Sequence, residues 1–197
     1  MAIISTTELM TDYGLFKVSY HQIKGDFCVS MYTGDLSKPN CVVRLHSSCL
    51  FSEALHSIDC DCNLQLSTAI STIAQLEHGV IIYLYQEGRG MGLANKIKAM
   101  ELERIQEIDT AEAFSQLHFD LDPRNYTAAI KALHELKLNK KIKLMTNNPR
   151  KRKQLERGGF IVTGRVILKY PVNSVINKYL KSKKDKLGHE IDEDFIK

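Results

Sequence analysis

The chain has 197 residues, 44% of them hydrophobic and 25% charged, with a net charge of +4. That is the make-up of a soluble globular protein, long enough to bury a substantial core as one domain. No apolar run approaches the ~20 residues of a membrane span. The start, MAIISTTELMTDYG, lacks the basic region and apolar core of a secretory signal, so a cytoplasmic protein without a membrane partner is expected. In that compartment five cysteines point to metal binding or free thiols before disulfides.

In chain order, the segment from Gly14 to Leu45 is strand-like: LFKVSYH, DFCVSMYTGDL and CVVRLH, separated by Lys24-Gly25-Asp26 and Ser37-Lys38-Pro39-Asn40. Cys28 and Cys41 fall inside these runs and read as small core residues. Leu66, Ile70, Ile73 and Leu76 then recur at helical spacing, with Gly79 as a stop. A buried strand, VIIYLY, opens into QEGRGMG, and a helix from about Leu93 to Gln106 carries Asn95, Lys96 and Met100. Shorter helices around 110–117 and 125–136 flank HFDLDPR. The strand KIKLM, the loop TNNP and a helix beginning at Pro149 follow, proline suiting the first turn. A strand pair over 160–169 and a helix over 173–187 complete the series. The expected fold is α/β: one domain over 1–188 with a mixed β-sheet, flanking helices and an antiparallel β-rich N-terminal third, then a polar, frayed tail over 189–197.

The basic residues concentrate in 137–153 and 178–186, which suits a polyanionic ligand such as a triphosphate. Nucleic acid is the rival partner for a basic surface, but no aromatic-rich binding signature accompanies these runs.

Residues 44–62 read RLHSSCLFSEALHSIDCDC and place Cys49, Cys60 and Cys62 in the pattern C-x10-C-x-C. Thiolates are strong zinc ligands, and a zinc with three protein ligands keeps a fourth position open for water, as catalytic centres do. The last two cysteines sit at the start of the predicted helix, where free amides and the helix dipole favour thiolate over thiol. Ordinary buried cysteines, or a four-sulfur structural site closed by Cys41, account for the same spacing.

Between Val43 and Lys151 the chain reads VRLHSSCL, DCDCNLQL, YQEGRGMGLANKIKA, DPRNY and LMTNNPRK. In order and spacing these motifs resemble GTP cyclohydrolase II, the zinc enzyme that opens the imidazole ring of GTP in riboflavin synthesis, and the resemblance spans residues 10–190. It implies zinc on Cys49, Cys60 and Cys62, GTP as substrate and a homodimer. It implies water addition at C8 of the purine, with loss of formate and pyrophosphate. Arg124 matches the arginine proposed to carry a phosphoguanosyl group, and Asp122 the matching proton acceptor. An arginine is a poor nucleophile because its pKa exceeds ~12, so a phosphate clamp paired with Asp122 is an equal reading.

The resemblance carries binding roles to Arg44, Leu45, His46, Ser47 and Ser48 before the first cysteine, and to Gln65. The turn residues Glu87, Gly88 and Arg89 follow, then Thr110, Thr146 and Lys151. EGRG alone would be no more than a turn. Of the histidines, His46 is assigned to the substrate side and His56 to structure, while His78, His118, His134 and His189 read as surface or helix-end residues. Magnesium is expected with the triphosphate, since hard oxygen ligands suit it.

Two positions depart from the family pattern. Ser48 stands where glutamate is common, and Met100 where NKI-[RK]-A is normally followed by a catalytic tyrosine that contacts the reacting nucleotide. A thioether cannot donate the proton that a phenol can. Pyrophosphate release and attack at C8 keep their residues, so the expected casualty is hydrolysis of the formamide. The expected product is the 5-formylamino-pyrimidine ribonucleotide 5′-phosphate. The alternatives are ordinary GTP cyclohydrolase II chemistry, with Tyr126 or Tyr85 replacing the phenol, and an inactive nucleotide-binding protein.

Overall fold

The computed structural model describes residues 2–23, 25–120 and 122–196. Lys24 in the first expected turn and Leu121 in HFDLDPR lie outside the described residues. The chain is α/β and forms two compact units.

The first unit comprises residues 1–46, 64–85 and 125–170. It holds a mixed sheet in the order β1-β2-β3-β5-β4-β6-β7. Strands β1 (Ala2–Thr11), β2 (Gly14–Ile23) and β3 (Asp26–Thr33) form an antiparallel meander, and β5 (Gly79–Leu84) pairs antiparallel with β3. β4 (Cys41–Ser47), β6 (Lys141–Leu144) and β7 (Ile161–Arg165) are parallel neighbours. The antiparallel N-terminal third and mixed sheet expected from the sequence are thus present. β4 is buried from Cys41 to His46, so its side chains show no in-and-out alternation, because a covered strand has no solvent face to alternate with.

Helix α5 (Thr127–Glu135) contacts β1, β3 and β5, and helix α6 (Pro149–Arg157) contacts β7. The core they cover includes Val43, Leu45, Val80, Ile82, Leu133, Ile142 and Leu155, together with Cys28 and Cys41. Burial pushes the Cys28 and Cys41 thiols up to about 12. Both are therefore inert core residues, as their positions inside strands suggested.

Helix α2 (Cys62–Leu76) contributes its residues from Leu64 onward to this unit. It ends against a tight turn. Gly34 follows β3 with φ +78°, and a Cβ built there would lie 2.1 Å from the Glu77 carbonyl oxygen. Gly34→Ala is expected to destabilise the fold by about 3–5 kcal/mol through that overlap and the left-handed backbone. Thermal unfolding should register it as a drop of roughly 10 °C, and an unchanged midpoint would show that the turn relaxes freely.

Three expectations are corrected. β1 was not anticipated. The strand pair expected over 160–169 is one strand, Ile161–Arg165, because Val166 onward leaves the ladder after a last bond from its amide to Leu144. The tail expected to fray carries a short 3-10 turn, Glu193–Phe195, and buries Ile191.

The second unit comprises residues 47–63, 86–124 and 171–197. It contains the short helix α1 (Leu50–Glu53), a 3-10 turn at Glu87–Gly90 and helices α3 (Leu93–Gln106), α4 (Thr110–Gln116) and α7 (Ser174–Leu187). Ala99, Ala113 and Phe114 form its small core, with Met91, Leu102 and Ile108 packed against them. Asp109 caps α4 in a reciprocal capping box with Glu112.

Candidate metal and nucleotide site

In the second unit the three thiols converge. The sulfurs of Cys49, Cys60 and Cys62 all lie within 4.8 Å of one another, with Cys49 Sγ 3.6 Å from Cys60 Sγ. A tetrahedral zinc with bonds of about 2.3 Å needs sulfurs about 3.8 Å apart, so the arrangement fits that ion. Among the described residues this is the one His, Cys, Asp and Glu group close enough to hold a metal, and Cys41 is not in it. The cluster is therefore one of three thiols and not a four-sulfur group closed by Cys41.

Local backbone explains the convergence. Cys49 is the extended residue before α1, and its amide donates to Glu53 Oε1 at 3.0 Å. Ser52 Oγ donates to the Cys60 carbonyl at 3.5 Å and accepts from the Asn63 amide at 3.0 Å, tying the returning loop to α1. The Cys49 thiol is held far below its ordinary range. Hydrogen bonds from Cys60 and then Cys62 are the main cause, with the Ser52 amide and the Lys96 ammonium adding to them against burial. Cys62 is driven well up, first by donating to Cys49.

The EGRG turn gains its meaning here. Gly88 and Arg89 both adopt left-handed backbone, at φ +57° and +56°. A Cβ at Gly88 would lie 3.0 Å from Lys96 Cβ, so this glycine lets α3 approach. Lys96 Nζ consequently reaches both Glu87 Oε1, at 2.7 Å, and Cys49 Sγ, at 3.1 Å. Glu87 Oε2 accepts from the Leu50 amide at 2.8 Å. Two of the three thiolate charges of a zinc centre would be balanced by the ion, and Lys96 stands beside the remainder. The sequence alone gives Lys96 no role beyond its place on the helix; the signal for one is its spacing, four residues before Met100 on one helical face.

Other residues of this unit fall as follows. Arg89 lies with its guanidinium 4.9 Å from the Phe114 ring centre. Ser47 Oγ donates to Gln86 Oε1 at 3.3 Å, Ser48 is half-buried, and Thr110 Oγ1 donates to Glu103 Oε2 at 3.3 Å. Asp122 and Arg124 form a two-pronged pair, Nε to Oδ1 at 2.7 Å and Nη2 to Oδ2 at 2.9 Å, with the carboxylate almost wholly buried. This geometry fixes the guanidinium plane. Met100 is half-buried on α3.

The first unit collects the remaining positions at the carboxyl ends of β4 and β6, where parallel sheets commonly receive ligands. The register Val43↔Leu144 sets Arg44 beside Met145. Arg44 Nη1 donates to the Met145 carbonyl at 3.1 Å, and Nη2 donates to Gln65 Oε1. Lys151 Nζ donates to the Leu45 carbonyl at 2.8 Å and lies 5.5 Å from the Tyr126 ring centre. Thr146 Oγ1 accepts from the Asn148 amide at 3.1 Å, and Asn148 caps α6. His46 is buried and stacks on Tyr83 at 5.6 Å. The segment 44–46 is thus tied to the distant Gln65, Met145 and Lys151, with Thr146 next to Met145, at one sheet end.

Tyr126 is a core residue and Tyr85 belongs to an aromatic group with Phe27 and Tyr83. Neither lies in the unit that holds Met100. A second constellation, Ser30–His21–Glu135, has nucleophile-like spacing at 2.9 and 2.8 Å. Ser30 and His21 are fully buried within the sheet, so it serves as a polar core link.

Fold and cluster together define an α/β protein with three thiols close enough to hold a metal ion. Residues 2–167 match the family described as GTP cyclohydrolase II. The riboflavin biosynthesis protein RibBA of Endomicrobium trichonymphae is 43% identical over 94% of this chain; this chain spans only 46% of that protein. The GTP cyclohydrolase-2 of Shewanella amazonensis is 42% identical over 98% of this chain and 95% of its own length. That of Haemophilus influenzae is 40% identical over 96% and 88%. The solved structure of RibBX, a two-domain 3,4-dihydroxy-2-butanone 4-phosphate synthase from A. baumannii, has a TM-score of 0.48 and 14% identity over 86% of this chain and 40% of that one, a likeness too low to carry function. The chain belongs to the GTP cyclohydrolase II family of hydrolases.

Proposed function

We propose that the chain catalyses zinc-dependent hydrolysis of GTP, opening the imidazole ring at C8 and releasing pyrophosphate, with the 5-formylamino-pyrimidine ribonucleotide 5′-phosphate as its main product. Family membership and relatives named GTP cyclohydrolase-2 support GTP as substrate, and the name of the Endomicrobium relative supports a place in riboflavin formation. The observation that carries the product is the composition of one α3 face: Lys96 is committed to Cys49 and Glu87, and one turn further on the side chain is the thioether of Met100.

Zinc on Cys49, Cys60 and Cys62 would supply Lewis acidity for attack of water at C8. The protein does the rest. Lys96, bonded to Cys49 Sγ and Glu87, holds the Cys49 side chain oriented. Arg124, its plane set by Asp122, meets the phosphate charge, either as the group that takes the guanosyl phosphate or as its clamp. The family resemblance supports nucleotide-contact roles for Glu87, Gly88, Arg89, Ser47, Ser48 and Thr110 within the second unit and, taken by itself, for Arg44, Leu45, His46, Gln65, Thr146 and Lys151 within the first. One water opens the ring and one splits the phosphoanhydride. A third, which would free formate, lacks its usual proton donor at position 100. Magnesium accompanies the triphosphate, and the working form is a cytoplasmic homodimer that binds neither nucleic acid nor membrane.

The test is mass spectrometry of the product from GTP with formate and pyrophosphate quantified in the same tube. Pyrophosphate with little formate is expected. Formate equal to pyrophosphate would make the chain an ordinary GTP cyclohydrolase II, and no consumption of GTP would make it a nucleotide-binding protein without turnover.

A further inference from the structure

The loop that carries the three thiols contains an acid that the chemistry above does not use. Asp61 lies between Cys60 and Cys62 and its side chain is fully buried. A carboxylate so placed is strongly unfavourable without a counter-charge. Lys183 Nζ supplies one at 3.0 Å, itself almost wholly buried and 4.0 Å from the Tyr179 ring centre.

Lys183 belongs to α7, which begins after the residues that match the family. The rest of α7 is fixed within the same unit. Ile176 and Leu180 are buried, and Lys186 pairs with Asp109 and Glu112, the two acids that cap α4. The helix therefore has an apolar face, an anchor on α4 and one charge delivered to the thiol loop.

We infer that Lys183 is a positioning residue for the metal centre and that α7 acts as a strap whose docking and zinc retention stabilise each other. Reading the thiols as a zinc site is the premise on which this rests. Binding free energies couple reciprocally: a helix that holds Asp61, and with it Cys60 and Cys62, in the ligating arrangement tightens zinc, and zinc in turn tightens the helix. Lys183 touches no reacting atom.

The experiment follows zinc transfer from the full-length protein to a chromophoric chelator, alongside proteolysis of α7 with and without zinc. Lys183→Met is expected to release zinc about 10–100-fold faster than wild type, the usual loss when a ligand's supporting partner is removed. Lys183→Arg, which keeps the charge, should stay close to wild type. The double variant Asp61→Asn/Lys183→Met, which leaves no buried charge alone, should recover part of the loss. Zinc should slow cleavage within α7 in wild type and not in Lys183→Met. Wild-type release and unchanged protection in Lys183→Met would overturn the strap while leaving the zinc reading intact. A wild-type protein that retains no zinc would overturn both.

Discussion

Met100→Tyr is expected to raise formate release from GTP by about 100-fold, the scale on which a positioned proton donor contributes. Pyrophosphate release should stay within about 3-fold, because Arg124 and Asp122 form their own two-pronged pair apart from this side chain. The split between the two products is the diagnostic, since a variant that merely folds better or worse moves both together. Met100 lies four residues after Lys96 on α3, and Lys96 reaches Cys49 at 3.1 Å, so a phenol there joins the helix face that carries the lysine bonded to the thiol group. A folded Met100→Tyr protein with unchanged formate would show that position 100 does not limit formate release.

The second large effect is expected at Arg124. Arg124→Ala should lower pyrophosphate release by about 1,000-fold, the range in which an arginine that meets phosphoryl charge contributes. It also leaves the nearly buried Asp122 carboxylate without the partner that now holds it by two bonds, at 2.7 and 2.9 Å. Arg124→Lys restores charge without the fork and should recover little of the rate. Added guanidinium ion separates the two roles: a clamp is partly rescued by it, whereas a covalent carrier is not. Rates within about tenfold of wild type in Arg124→Ala would exclude both roles.

How far these features can be read from the sequence depends on whether the signal is local. Helix α3 was expected over Leu93–Gln106 and occupies those residues, because QEGRGMG before it forces the chain to turn and Glu107 ends it with left-handed backbone. Cys49, Cys60 and Cys62 were legible for the same reason: their spacing is short and their chemistry narrow. β1 was not legible. It lies at the sheet edge with Ile4, Leu9 and Met10 exposed, and without a buried face it lacks the alternation that marks a strand.

Pairings across long separations were hidden for a different cause. Lys183 reads as one of several lysines in a solvated run, and only the folded chain brings it to Asp61, 122 residues away. Arg44 and Lys151 read as ligand contacts, whereas their fixed bonds to the Met145 and Leu45 carbonyls show that they also hold the end of β4 together. A basic side chain can bind a nucleotide and brace a strand, and sequence distinguishes neither use.

The sheet also carries a kinetic consequence. β1, β2 and β3 meet through adjacent turns, so their closure costs little chain entropy. β4 and β6 pair Cys41 with Ile142, and enclosing a loop of about a hundred residues carries a far larger entropic cost, which makes such pairings slow. The meander should therefore be the early-folding part of the molecule and the β4–β6 seam the late one. Arg44 and Lys151 are fastened at that seam, so this end of the sheet takes its final form only at the last stage of folding.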